Sequence, residues 1–128
     1  MQCPYCRTAV HESTPECPTC KMTISRISAL FGPVPRFHPG LENTARLLFR
    51  REMAQLQFRI DELKHKYPQV VLHLIVHEFP VNYPFDLYLF WIFNVAGLSE
   101  ESHRGGDNHD VMLAIDPVQK RVGFVFGY

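Results

Sequence analysis

The sequence predicts an α/β protein: a mixed sheet flanked by helices, in the order helix, strand, helix, strand, strand, behind a small cysteine-bound ribbon. Three observations carry this prediction. The only cysteines, Cys3, Cys6, Cys17 and Cys20, fall in two Cys-Pro-x-Cys turns within the first 20 residues. A long stretch with apolar residues at threes and fours leads into a run of valines and leucines, as a helix leads into a strand. Near the end, Val111/Leu113/Ile115 and Val122/Phe124/Phe126 alternate with other residues on either side of Asp116-Pro117, which is the pattern of an antiparallel hairpin.

The cysteine turns come first in the chain. Two residues between cysteines let one tight turn present both sulfurs to a single ion, and Pro4 and Pro18 stiffen those turns. The spacer from Arg7 to Glu16 is long enough for a short hairpin that returns to the second turn. A segment this small cannot fold on an apolar core, so bound metal would supply its folding free energy, on the order of 10–16 kcal/mol for structural zinc. Four thiolates suit zinc, and they leave no open position for substrate, so the expected ion is structural. Cys3, Cys6, Cys17 and Cys20 are therefore the expected zinc ligands. Two disulfides are the competing reading. Against it, Met1-Gln2 leads straight into the motif without a secretory leader, and the rest of the chain has no cysteine. An iron centre with similar paired turns is a further alternative, and His11 is a ligand nothing requires.

Composition bounds the rest. Of 128 residues 46% are hydrophobic, enough for one packed domain beside the ribbon. With 13 basic and 13 acidic residues the net charge is zero, which argues against nonspecific nucleic-acid binding. The longest apolar run, Leu87 to Phe93, is far shorter than a membrane span. The expected location is the cytoplasm.

Residues 1–22 are read as the ribbon, 23–40 as a proline-rich linker and 41–128 as the α/β domain. In the linker Ile24, Ile27, Leu30 and Phe31 allow a short helical turn or a strand before Gly32, Pro33, Pro35 and Pro39 forbid regular structure. A helix is expected from Glu42 to Tyr67, capped by Asn43 or Thr44, with a stripe of Ala45, Leu48, Phe49, Met53, Leu56, Ile60, Leu63 and Tyr67. Leu47, Ala54 and Phe58 lie opposite the stripe and imply a second contact, while Glu62 and Lys66 are spaced to pair. Gln69 to Phe79 reads as an interior strand, apolar on both faces, with His73 and His77 as structural histidines on one of them. Pro84 opens a second helix over Phe85 to Ala96, ended by Gly97 and apolar nearly all round. The strand, helix and following strand imply a parallel crossover.

In this order the pieces resemble the TPM family, which includes thylakoid-lumen factors of photosystem repair and bacterial envelope proteins. The long helix matches, as do Val70-Val71-Leu72-His73-Leu74-Ile75-Val76, Trp91-Ile92-Phe93-Asn94, Asn108 to Asp116 and the closing Val122 to Tyr128. Asp110 departs from the family, which usually has glycine there. The resemblance implies a TPM-like mixed-sheet domain over residues 41–128 that continues past Tyr128 with helices covering the spare apolar faces, or with an anchor. It also implies a partner protein, in quality control or membrane-complex maintenance.

Some TPM-like domains are associated with phosphatase activity and divalent metals. That implies an alternative, a phosphatase-like hydrolase with Ca²⁺ or Mg²⁺ held by Asp107, Asn108, Asp110 and Asp116, near Glu100, Glu101 and His103. Asp107 and Asp110 are then the catalytic candidates. The bland reading of Gly105-Gly106-Asp107-Asn108 is turn chemistry. A third reading, nucleic-acid binding by the ribbon, rests on Arg7, Lys21 and Arg26, opposed by Glu12 and Glu16.

Overall fold

A computed structural model describes residues 1–11, 13–98 and 109–127. Behind the ribbon run α1 (Ile24–Phe31), β1 (Leu41–Asn43), α2 (Arg50–Lys66), β2 (Val71–Val76), α3 (Phe85–Val95), β3 (Asp110–Asp116) and β4 (Arg121–Phe126). The strands form one mixed sheet in the order β1-β2-β3-β4. β1 and β3 both run parallel to β2, and β4 returns antiparallel to β3. The crossover through α3 and the closing hairpin are those the sequence predicts.

One sheet face carries the core. Ile75, Met112 and Ala114 line it, with Val125 packed against them. α3 lies on this face and buries Leu87, Tyr88, Leu89, Trp91 and Ile92, residues from more than one side of the helix. The material that covers its outer side comes from the segment read as a linker. α1 is a helix capped by Thr23, whose hydroxyl accepts the Arg26 N–H, and it buries Ile27 and Phe31. The Phe31 ring packs between those of Tyr83, Tyr88 and Trp91, and Trp91 Nε1 donates to Ser28 Oγ at 2.8 Å. Ile27, Phe31 and Phe37 of this segment thus belong to the core.

The opposite face is thinly covered. α2 lies over β1 and β2 and has no fully buried residue; Met53, Leu56, Ile60 and Leu63 are half-buried. Leu47, Ala54 and Phe58, the residues opposite the stripe, are exposed, with no second contact among the described residues.

The helix expected from Glu42 begins at Arg50 instead. Leu41–Asn43 pairs with Leu74–Val76, so its first residues are drawn into the sheet. Asn43 does not cap a helix: its amide brackets the following loop, donating to Leu48 O at 2.9 Å and accepting from Leu48 N at 3.3 Å. Arg46 has a φ of 53°, which no helix continues through. The helix starts where Glu52 can accept the Phe49 N–H, at 2.7 Å. Glu62 pairs with Arg59, at 2.7 Å, rather than with Lys66. No helix among the described residues is long and apolar enough to cross a membrane.

Candidate metal centre

The two cysteine turns are built alike. In the first, Arg7 adopts a left-handed φ of 64° and donates its N–H to Cys3 O at 2.9 Å; in the second, Lys21 adopts 58° and donates to Cys17 O at 2.9 Å. Each turn is closed outside by one more backbone bond, Cys3 N to Thr8 O at 2.9 Å and Cys17 N to Met22 O at 3.0 Å. A non-glycine residue in the left-handed region costs about 1–2 kcal/mol, so two such residues at equivalent places mark a backbone folded to present sulfur. Among the described residues the strand bridge here, Gln2 to Ala9, flanks the first turn and does not lie wholly within the spacer where the hairpin is expected.

The turns bring all four sulfurs together, each within 4.8 Å of the others. Cys3 and Cys20 are 3.7 Å apart, as are Cys6 and Cys17. A tetrahedron with Zn–S bonds of about 2.3 Å has edges of about 3.8 Å, so these separations fit one ion. They are far longer than an S–S bond of about 2.05 Å, and all four cysteines are free thiols, which disposes of the disulfide reading. Cys3 and Cys17 are buried, Cys6 and Cys20 half-buried. The cluster can hold a metal ion such as zinc, and its sulfur-only donor set suits zinc or iron over harder cations. His11 stays outside it, exposed and bonded to Ser13 Oγ at 2.7 Å.

The thiols differ in acidity. The Thr8 hydroxyl lies 3.3 Å from Cys6 Sγ and, with the Thr8 N–H, brings that thiol down to about 6. Burial pushes Cys20 up to about 12. Four adjacent thiolates repel one another, and a bound cation is what allows all of them to ionise. Thr8 is a contributor that spacing analysis missed; its signal is a hydroxyl two residues beyond the second cysteine of a turn.

The ribbon is seated on the domain. Arg26 Nη1 donates to Lys21 O at 2.8 Å, tying the second turn to α1, and Met22 packs against the core. Arg7 meets Asp86, at the start of α3, at 3.1 Å, and Lys21 pairs with Glu16 at 3.3 Å. The three basic residues on which nucleic-acid binding would rest are therefore each engaged with a group of the chain itself.

Of the acidic-loop candidates, Asp107 and Asn108, with Glu100, Glu101 and His103, lie outside the described residues. Asp110 and Asp116 are not brought together: they stand at opposite ends of β3, about 20 Å apart at the usual strand rise. Asp116 is fully buried. Its Oδ1 accepts the N–H groups of Val118 and Gln119, both at 3.1 Å, and its Oδ2 accepts from Arg121 Nη2 at 2.7 Å. Burial opposes its charge, but Arg121 and the Gln119 N–H outweigh it and hold the carboxyl below its ordinary value. This carboxylate closes the β3–β4 turn.

Asp110 Oδ2 lies 3.5 Å from Nε2 of His73, which is buried. The pair lines a cavity of about 230 Å³ between α2 and the starts of β2 and β3. His73 Nδ1 accepts the Gly40 N–H at 3.2 Å, so the ring proton sits on Nε2, toward Asp110. Burial lowers the histidine's pKa against the opposing pull of Asp110. A neutral imidazole with Nδ1 already accepting has no lone pair to offer a substrate. His77, half-buried, lies with Nδ1 2.7 Å from Thr44 Oγ1.

Compared with known proteins, the chain matches no family model, no curated protein and no solved structure.

Proposed function

We propose that this protein is an interaction module in which structural zinc holds a small ribbon against a TPM-like α/β domain, and that its ligand is another protein, in a quality-control role. The observation that carries this reading is the closed set of four sulfurs, each within 4.8 Å of the others. A site of this kind fixes backbone and leaves no position for a substrate. The order of elements, with a strand–helix–strand crossover before a final hairpin, supports a TPM-like domain. The surface supports a protein ligand: Tyr5 on the first turn is 62% exposed, and Phe49, Phe58, Phe124 and Phe126 are exposed to a similar or greater degree.

The hydrolase alternative draws less support from the geometry, because Asp116 is committed to the β3–β4 turn and His73 to Gly40. The two readings part in one experiment. Zinc-loaded protein is assayed for phosphate release from a generic ester with Mg²⁺ or Ca²⁺, and in parallel for capture of a partner from cell extract. The module reading expects no release, and capture that is lost when the ribbon is stripped of metal. Ester turnover abolished by Asp107→Ala or Asp110→Ala would overturn it.

A further inference from the structure

The outer strand β4 has an open edge and an open face, and the same three residues supply both. Among the described residues β4 pairs only with β3, at the end of the sheet. Just beyond the strand, Gly127 donates its N–H to Asp110 O at 2.8 Å. In an antiparallel ladder the residues that bond a given neighbour alternate. Gly127, Val125, Gly123 and Arg121 therefore turn their backbone groups toward β3, and Val122, Phe124 and Phe126 turn theirs outward. Their side chains are open as well: Val122 is 59% exposed, Phe124 60% and Phe126 61%. The Phe124 and Phe126 rings stack on each other, centroids 6.2 Å apart, over the half-buried Val111, Leu113 and Ile115. α2 covers only the β1–β2 half of this face.

Exposed edges in monomers are ordinarily blunted by charge, proline or a covering segment. The outward residues of β4 carry none of these. The charged residue of the strand, Arg121, is turned inward to Asp116 and lies over the Phe85 ring. Unsatisfied N–H and C=O groups in a row call for another strand, since a helix has no free backbone groups along its side.

We propose that β4 pairs with β4 of a second copy of this chain, antiparallel about a two-fold axis at Phe124, joining the two sheets into one. The sequence is self-complementary in this register. Phe124 falls opposite the partner's Phe124, and Val122 opposite the partner's Phe126, all on one face and all with backbone groups pointing across the new ladder. Each pair exchanges both of its hydrogen bonds. Arg121 falls opposite the partner's Gly127, so no like charges meet. Slipping the register by one residue would set the inward-turned backbone groups of Gly123 and Val125 against the open edge and leave the ladder unmade. A two-fold contact closes on itself, so the product is a dimer and not a fibre. The contact is small: the three side chains keep roughly 100 Å² each open in one copy, and interfaces of such size are transient. The dimer is therefore concentration-dependent.

The test is sedimentation equilibrium of the full zinc-saturated chain from about 10 to 300 μM, with far-UV circular dichroism as the check on folding. The mass should rise from 14.9 kDa toward twice that value. Phe124→Lys and Phe124→Glu each place like charges across the axis and should be monomeric throughout with unchanged dichroism. Mixing the two variants should restore a dimer, because the axis then sets lysine against glutamate, and added salt should weaken it. A wild-type chain that stays monomeric to 300 μM, or that forms larger species, overturns the proposal. So does a dimer that survives either single variant, or a mixture that stays monomeric.

Discussion

Replacing Asp116 by alanine should damage the fold rather than a reaction. The carboxylate is fully buried and accepts bonds from the turn at Val118 and Gln119 and from Arg121, and the Phe79 N–H also favours its charge. Val118 and Gln119 are exposed, so their freed N–H groups can reach water at little cost. Arg121 cannot recover as easily. Its side chain is 26% exposed, and its Nε has no hydrogen-bond partner among the described residues, so the variant strands a cation against the Phe85 ring. Removing one partner of a buried pair costs about 3–5 kcal/mol, and partial solvent access to Arg121 brings the expectation to about 2–4 kcal/mol. Asp116→Asn, which keeps an acceptor for the turn, should lose about half as much. The sign of the pH dependence follows from the carboxyl's lowered pKa. The stabilisation is complete above the ordinary value of 3.8 and is lost as pH falls through the lower value of the folded state. The gap between wild type and variant should therefore hold constant down to about pH 4 and narrow below it. Urea unfolding of zinc-saturated protein, followed by the fluorescence of Trp91, measures the gap directly. A loss under about 1 kcal/mol at neutral pH would refute a structural role for a carboxylate so fully engaged.

Two further outcomes test the packing. A Cβ at Gly123 would fall within 3.0 Å of Leu89 Cδ1 and 3.1 Å from the Phe85 ring, and Leu89 is buried with little room to turn aside, so Gly123→Ala should lose about 1–3 kcal/mol in the same urea assay; no loss would mean that the Leu89 side chain is not held tightly against β4. His73 should titrate below 6.5 by NMR because burial keeps it neutral, and stability should fall as pH drops from 6.5 toward that lower value, a slope that His73→Gln flattens; a His73 resonance titrating at or above 6.5 would contradict the neutral, Gly40-bonded ring.

What the sequence discloses is what short-range chemistry dictates. Cys3, Cys6, Cys17 and Cys20 announce their site because the ligand spacing is itself the geometry. The β3–β4 hairpin and α3 follow from alternation and from Pro84 with Gly97. β1 is not legible, because three residues become a strand only by lying beside Leu74–Val76. The start of α2 is misread for a related reason: an apolar stripe continues through Ala45 and Leu48, but the Asn43 amide and the left-handed Arg46 hold that stretch out of the helix. The cover over α3 is hidden in a proline-rich segment whose Ile27 and Phe31 read only as part of a short helical turn or strand until the fold sets Phe31 against Trp91. Pairings across distance are invisible for the same cause. Nothing in the sequence sets Arg7 against Asp86, or Asp110 against His73. At the cysteine cluster the four sulfurs are readable, but Thr8 and the left-handed Arg7 and Lys21, which shape the turns, become evident only in the folded backbone.

Metal content tests the central claim most directly. Elemental analysis of the purified chain should find one zinc per molecule, held by Cys3, Cys6, Cys17 and Cys20, and Cys17→Ser should lose it. A Cys17→Ser chain that kept its full zinc, or a wild-type chain that carried iron in its place, would contradict the account.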